Sequence, residues 1–261
     1  MTRSTGFILP QGRDVLGRAR SALGRVGAIG LSRPTRHTIG KPRILEQHGN
    51  SCVGHCLFQQ ERLWRQANGA LGRDVSPYYP YWWARRRAVT DEAFITDMGC
   101  QPYHAVRAAS KHGLVPLDDW APWGPRGFGI DTPPPATLRI RAQRVSMTLR
   151  PIYATGDAMV ERVVDSLAQN RPVMLAVAVD DAFMSDGGSD VIRAPRGSTA
   201  GMLHAVTAYG YRAAEGAGYW QVRIANSWGE RWRDRGRAWL GHGAVAAARW
   251  AGELVSVRRR P

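Results

Sequence analysis

The sequence contains almost no lysine. Only Lys41 and Lys111 among its 36 basic residues are lysines, so arginine carries nearly all of the positive charge behind the formal net charge of +15. A surface of this kind attracts phosphate-rich polymers and acidic proteins without sequence specificity. No recognised nucleic-acid-binding motif accompanies the charge, so charge alone does not indicate a nucleic-acid function.

Cysteine and long apolar runs are also scarce. The chain has three cysteines among 261 residues, an odd number that argues against the disulfide framework of a secreted domain. No stretch approaches the roughly 18 apolar residues of a membrane-spanning helix, and the N-terminus lacks the apolar core of a signal peptide. We therefore expect no transmembrane segment and a reducing compartment, cytoplasmic or virion-associated.

Acidic residues are nearly absent from the N-terminal region. Asp14 is the single acid among residues 1–43, which otherwise contain many arginines. We interpret residues 1–40 as a basic N-terminal arm, a surface extension able to dock an acidic protein or nucleic acid. Its composition is also similar to that of a transit peptide.

Apolar spacing divides the rest of the chain into a helical front half and a strand-rich back half. A helical pattern begins at or just before Cys52 and continues to about Gly72, and a second one ends at Gly113. After residue 135 the pattern predicts one amphipathic helix with Asp157 as its N-cap, and strands within RVSMTLRPIY, PVMLAVAV, LHAVTAYGY, YWQVRIANS and GRAWLG. This order predicts an α+β protein with a helical lobe at 41–135, a β-rich lobe at 136–261 and a cleft between them.

The segment EQHGNSCVGHC, residues 46–56, is the first candidate for chemistry. Cys52 stands at a helix start, where the helix dipole favours a thiolate. Read instead as a metal site, Cys52, His55 and Cys56 would need Cys100 or His104 as a fourth ligand, and their spacing fits no familiar zinc motif. We expect neither metal nor cofactor.

Two downstream segments supply what a cysteine nucleophile needs, an imidazole and an acceptor that orients it. QHGNSCVGHC, LHAVTAYGY and NSWGERWRDRGRAWL occur in the same order as the glutamine, cysteine, histidine and asparagine blocks of papain-like cysteine peptidases. The third block is the most specific of them. With weaker similarity in SPYYPYWWARR and DMGCQPYHAVRAASKHGLVP, the chain resembles a short, bacterial or phage-type member of that family over roughly residues 40–245.

The resemblance implies a role for each matching residue. Cys52 would be the nucleophile, His204 its proton acceptor, and Asn226 the residue that orients the imidazole. Trp228 would shield the hydrogen bond between His204 and Asn226 from water. Gln47 would form the oxyanion hole together with the backbone N–H of Cys52. The implied fold has a helical N-terminal lobe, an antiparallel barrel-like C-terminal lobe and the active site between them.

Departures from the family pattern surround the nucleophile. The family's Cys-Gly-Ser-Cys-Trp is replaced by Gly-Asn-Ser-Cys-Val, so its disulfide-forming first cysteine is absent. Gln47 lies five positions before Cys52, one fewer than usual, and His48 is a rival oxyanion donor. The oxyanion loop is therefore expected to differ in geometry.

These observations favour a thiol endopeptidase that acts on peptides or proteins through an acyl-enzyme. Two alternatives remain open at this point: a structural or assembly protein, for example of a phage particle, that retains the fold, and an amidase or cell-wall endopeptidase. A further expectation concerns the arm at residues 1–40, which would either leave the enzyme active or itself block the cleft until self-cleavage removes it.

Overall fold

The computed structural model describes residues 7, 33–88, 97–120, 132–142, 145–186, 190–195, 202–214 and 218–259. Its front half is helical, as the spacing predicts. Helix α1 is Cys52–Ala67, α2 is Tyr78–Ala88 and α3 is Pro102–His112, followed by a short 3₁₀ turn at Leu117–Asp119. Helix α1 ends earlier than the predicted Gly72, because Asn68 caps it and Gly69 adopts a positive φ of 61°.

The back half contains most of the strands. They are β1 Arg36–Thr38, β2 Val145–Pro151, β3 Val173–Ala178, β4 Val191–Ile192, β5 Leu203–Ala213, β6 Trp220–Ala225, β7 Arg237–Leu240 and β8 Trp250–Arg259. The helices among them are α4 Ala136–Arg141, α5 Gly156–Ala168, α6 Asp181–Met184 and α7 His242–Ala246. Asp157 is not the N-cap of α5: Thr155 is, and Asp157 lies in the first turn, where its charge still suits the helix dipole.

These strands form one mixed sheet with the order β2-β8-β3-β5-β6-β7-β4, and β1 pairs with β5. All described pairings are antiparallel except that of β4 with β7. Strand β8 was not predicted from the sequence. Its apolar pattern is interrupted by the buried Glu253, whose carboxylate lies 2.6 Å from Arg150 and 3.5 Å from Arg171.

Helices cover both faces of the sheet. Alternate residues of β3 face opposite ways: Leu175 packs in the cluster that contains the apolar face of α5, whereas Met174 and Ala176 pack with α1 and α3. A strand buried on both faces reads as a continuous apolar run, and VMLAVA is such a run. The α+β class predicted from the sequence is confirmed. Among the described helices, none has the length and hydropathy needed to cross a bilayer.

Gly236 lies in the turn before β7 and allows a close approach to the front of the chain. Its φ is 78°, and a Cβ placed there would lie 2.4 Å from Cγ2 of Ile44. Its carbonyl accepts the backbone N–H of Asn226 at 2.9 Å. The turn therefore holds Asn226 in place.

We expect Gly236→Ala to lower the free energy of unfolding by about 1–3 kcal/mol, because it combines backbone strain with a steric clash. Gly218→Ala is the matched control, since Gly218 has a φ of 61° and no atom within 4 Å of the added Cβ among the described residues. Urea denaturation of both variants measures the difference. Equal losses would show that the contact with Ile44 has no energetic weight.

Candidate active site

His204 and Asn226 meet at one end of the sheet. His204 is the second residue of β5, and Asn226 follows the last residue of β6. Nε2 of His204 lies 2.7 Å from Oδ1 of Asn226, which also accepts the backbone N–H of Ser227 at 2.7 Å. Because Oδ1 can only accept, Nε2 donates, and the neutral ring carries its lone pair on Nδ1. Within the described part of the chain, Nδ1 has no hydrogen-bond partner.

Aromatic rings enclose this pair. Trp228 stacks on the imidazole of His204, with ring centroids 4.5 Å apart and an interplanar angle of 29°. Phe183 contacts His204 edge-on at 6.0 Å and Trp228 at 5.4 Å. Water is thereby kept from the hydrogen bond between His204 and Asn226.

Burial determines the charge state of His204. The residue has no exposed surface, and this desolvation lowers its pKa to about 4, although the hydrogen bond with Asn226 acts in the opposite direction. The imidazole is therefore neutral near pH 7 in the described structure, with Nδ1 ready to accept a proton.

Cys52 is the first residue of α1 and is fully buried. The hydroxyl of the N-cap residue Ser51 donates to the carbonyl of His48 at 2.8 Å, and it makes no capping bond within the described chain. Cys52 therefore stands at the N-terminal end of a 16-residue helix, where the partial positive charge of the first turn favours a thiolate.

Packing of α1 against β5 brings the two lobes together at this point. The hydroxyl of Thr207 donates to the carbonyl of Cys56 at 3.5 Å. Cys56 lies one helical turn after Cys52, and Thr207 lies three residues after His204. Cys52 shares an apolar cluster with Ala205, the residue next to His204. The start of the helix therefore meets the start of the strand.

Gln47 lies against the asparagine block. Its backbone N–H donates to the carbonyl of Ser227 at 2.7 Å, and its Oε1 accepts the hydroxyl of Ser227 at 2.6 Å. Its amide nitrogen donates to the carbonyl of Gly49 at 2.8 Å. The rival donor His48 is exposed, and its backbone N–H donates to the hydroxyl of Tyr78 at 3.0 Å.

The other sulfur and imidazole groups of the described residues lie apart or make protein contacts. In the described ranges, no group of three or more histidine, cysteine, aspartate or glutamate side chains is arranged to hold an ion. Cys56 and Cys100 are free thiols, and burial raises the pKa of each well above its ordinary value. His55 is buried and makes hydrogen bonds to the segment before α1.

The family model for the papain family cysteine proteases matches residues 81–253, about two thirds of the chain. The chain belongs to the papain family of cysteine proteases. The match includes His204, Asn226 and Trp228, whereas Gln47 and Cys52 lie before it. The assignment of those two residues therefore depends on the sequence pattern and on the packing of α1.

Solved structures agree on the papain-like fold. Xylellain, a cysteine protease from Xylella fastidiosa, superposes with a TM-score of 0.67 at 17% identity over 98% of this chain and 91% of that one. Digestive procathepsin L 3 of Tenebrio molitor gives 0.66 at 13% identity, covering 88% and 72%. Bromelain from Ananas comosus gives 0.61 at 16% identity, covering 85% and 98%. No curated protein sequence matches significantly.

Phe7, from the N-terminal region of this papain-family protein, packs between the helical lobe and strand β5. The backbone N–H of Phe7 donates to the carbonyl of Leu203 at 3.3 Å, directly before His204, and Phe7 forms a parallel bridge with Cys100 of the helical lobe. Its ring is 8% exposed, packs in the cluster that contains Cys52 and lies 5.8 Å from the ring of Trp250. No motif indicated this contact, although Phe7 is the only phenylalanine, tyrosine or tryptophan among residues 1–40.

Sequence reasoning also missed the groups that support the loop before Cys52. Nδ1 of His55 donates to the carbonyl of Ser51 at 3.1 Å, and its Nε2 lies 3.3 Å from the hydroxyl of Tyr78. Tyr78, Tyr81 and Arg85 are spaced three and four apart along α2 and so share one helix face. This spacing of tyrosine hydroxyls and an arginine along one face of α2 was the sequence feature that could have predicted the support of the loop.

Two buried histidines with lowered pKa values, His55 and His204, are expected to make the folded protein less stable in acid. Desolvation lowers the pKa of His55 to about 3, with smaller effects from nearby His48 and His204. Because the folded pKa lies below that of the unfolded chain, stability is full above about pH 6.5 and is lost as the pH falls. Between pH 7 and pH 5, His55 and His204 should each cost about 2 kcal/mol of folding free energy.

Replacing His55 by Gln should remove one of these two contributions. Urea denaturation at pH 7 and at pH 5 should show a loss on acidification that is about 2 kcal/mol smaller in the variant than in the parent chain. The same acid-induced loss in both proteins would mean that folding does not lower the pKa of His55.

Proposed function

We propose that this papain-family protease hydrolyses peptide bonds with Cys52 as nucleophile, His204 as general base and acid, and Asn226 as the residue that orients His204. The observation that carries the proposal is the 2.7 Å contact between Nε2 of His204 and Oδ1 of Asn226, which leaves Nδ1 as the basic nitrogen. The helix start at Cys52 supports it, because a thiolate there would be stabilised by the N-terminus of α1.

The chemistry follows from these positions. Nδ1 of His204 accepts the thiol proton of Cys52 as the sulfur attacks the peptide carbonyl carbon. The C–N bond then breaks, the imidazolium gives its proton to the leaving amine, and a thioester remains. His204 next takes a proton from water as the water oxygen attacks the thioester carbon. The C–S bond then breaks, the carboxylic acid leaves, and the imidazolium returns its proton to the sulfur.

Gln47 is proposed to stabilise the oxyanion of both tetrahedral intermediates, together with the backbone N–H of Cys52. Its contact with Ser227 keeps it beside Asn226. Its amide nitrogen now donates to the carbonyl of Gly49 and would exchange that bond for one to the oxyanion. Removing such a donor typically costs about 2.7–4 kcal/mol of transition-state stabilisation.

Alkylation of the native protein tests the proposed pair. Sub-stoichiometric iodoacetamide near pH 6 should modify Cys52 selectively, and Cys56 and Cys100 serve as internal controls because burial raises the pKa of both thiols. Cys52→Ala should abolish peptide hydrolysis, and His204→Ala should remove both hydrolysis and selective labelling. Labelling of Cys52 no faster than that of the two controls would favour a non-catalytic scaffold, the alternative of a structural or assembly protein.

Phe7 is proposed to occupy the place of a substrate residue and to hold this form of the enzyme closed. Its backbone N–H donates to Leu203, it forms a parallel bridge with Cys100, and it packs in the cluster of Cys52. A substrate must displace it before reaching the thiol. The expectations that the basic arm docks an acidic partner and that the protein works in a reducing compartment stay predictions.

Phe7→Ala should raise kcat/KM for a short peptide substrate. Burying a phenylalanine ring stabilises a structure by roughly 1.5–3 kcal/mol. Removing the ring should therefore raise kcat/KM by up to about 10- to 100-fold, because a larger fraction of the enzyme is open to substrate. Tyr153→Ala, which removes an aromatic ring that is 48% exposed, is the control and should have no effect. N-terminal sequencing before and after incubation separates displacement of an intact arm from self-cleavage. An unchanged kcat/KM in Phe7→Ala with the N-terminus intact would exclude blockage by Phe7.

A further inference from the structure

The loop that leads into Cys52 is held by hydrogen bonds from the helical lobe. The backbone N–H of Asn50, two residues before the nucleophile, donates to Oδ2 of Asp97 at 2.6 Å. The side-chain amide of Asn50 donates in turn to the backbone carbonyl of Asp97. One residue of the loop is thus bonded twice to one residue outside it, which fixes both its position and its orientation.

Helix α2 fixes the carboxylate of Asp97. The hydroxyl of Tyr81 donates to Oδ1 of Asp97, and the guanidinium of Arg85 lies 3.8 Å from the same oxygen and 5.0 Å from the Tyr81 ring centroid. Tyr81 and Arg85 are almost fully buried. Burial, followed by the charge of Asp97, raises the pKa of Tyr81, so its hydroxyl remains a donor. We call these four residues, Asn50, Tyr81, Arg85 and Asp97, the Asp97 network.

A second support acts on the same loop from the same helix. Tyr78 lies three residues before Tyr81 on α2, and its hydroxyl accepts the backbone N–H of His48. The two supports contact the loop at residues 48 and 50, on either side of Gly49, whose carbonyl is the present acceptor of the Gln47 amide. Movement of Asn50 would therefore displace the proposed oxyanion donors on both sides, Gln47 and the N–H of Cys52.

We propose that Asp97 is a positioning residue that sets the geometry of the oxyanion loop. This inference rests on the proposed peptidase function. The chain lacks the disulfide-forming cysteine that its family carries before the nucleophile, and the Asp97 network supplies a non-covalent restraint on the loop instead. Asp97 acts through Asn50 and does not touch substrate.

The test compares Asp97→Ala and Asp97→Asn in the full-length chain. Loss of the acceptor should lower kcat for a peptide substrate by about 10- to 100-fold with little change in KM, because a misplaced oxyanion hole weakens transition-state binding more than substrate binding. Asp97→Asn keeps one acceptor oxygen and should retain an intermediate kcat. Amide hydrogen exchange in residues 46–51 should be faster in Asp97→Ala than in the parent chain.

Asp74→Asn is the matched control, because Asp74 is also a carboxylate held by arginines, with Arg43 at 2.9 Å and Arg65 at 3.4 Å. It should change neither kcat nor exchange in residues 46–51. Equal kcat in Asp97→Ala and the parent, or unchanged exchange in the loop, would overturn the proposal. If the parent chain itself hydrolyses no peptide, the proposed function fails, and the exchange measurement alone decides whether Asp97 positions the loop.

Discussion

The contact of α1 with the sheet is the interaction on which the rest of the structure depends. The helix belongs to one lobe and the strands to the other, yet hydrogen bonds between described residues join them. Thr207 donates to the carbonyl of Cys56, and the buried side-chain amide of Gln60 donates to the carbonyls of Pro172 and Gly252 at 3.0 and 3.1 Å. Gln60 is fully buried and its amide needs such acceptors, so sliding the helix along the sheet would leave this donor unsatisfied. This requirement fixes the start of α1, and with it Cys52, relative to the start of β5.

The cost of this arrangement is desolvation. Cys52 and His204 are both fully buried, and burial favours the neutral imidazole, whereas the N-terminus of α1 and Asn226 favour the charged pair. Phe7 packs in the same cluster as Cys52 and contributes to this dry environment. A closed form with a neutral histidine and an open form with greater access to water are therefore expected to differ in the ionisation of the pair.

Much of the fold follows from the sequence, because its main elements have strong local patterns. The apolar spacing of α1 and α5 and the continuous apolar run of β3 identify those elements without knowledge of their partners. Strand β8 was not predicted because Glu253 interrupts its apolar pattern. This glutamate is buried through ion pairs with Arg150 and Arg171, which are distant in the sequence. Asp157 was misplaced as an N-cap because sequence alone does not show that the preceding Thr155 is already extended.

The residues of the candidate site also differ in whether the sequence predicts them. His204, Asn226 and Trp228 were predicted from block order, and the structure brings these three together. The contacts of Asp97, Tyr81 and Phe7 could not be predicted, because each joins segments that carry no shared motif. The backbone N–H groups of Phe7 and Asn50 could donate these hydrogen bonds whatever their side chains were. Residue type therefore does not predict the two contacts, and only the folded chain shows them.

Locating the acyl group after reaction with a slowly hydrolysed peptide ester tests the central claim most directly. The full-length chain and its Phe7→Ala variant would be treated, quenched in acid, digested and analysed by mass spectrometry. The account predicts a thioester on the peptide that contains Cys52, and its absence when His204 is replaced by alanine. An acyl group on any other side chain, or equal acylation of Cys52 without His204, would contradict it.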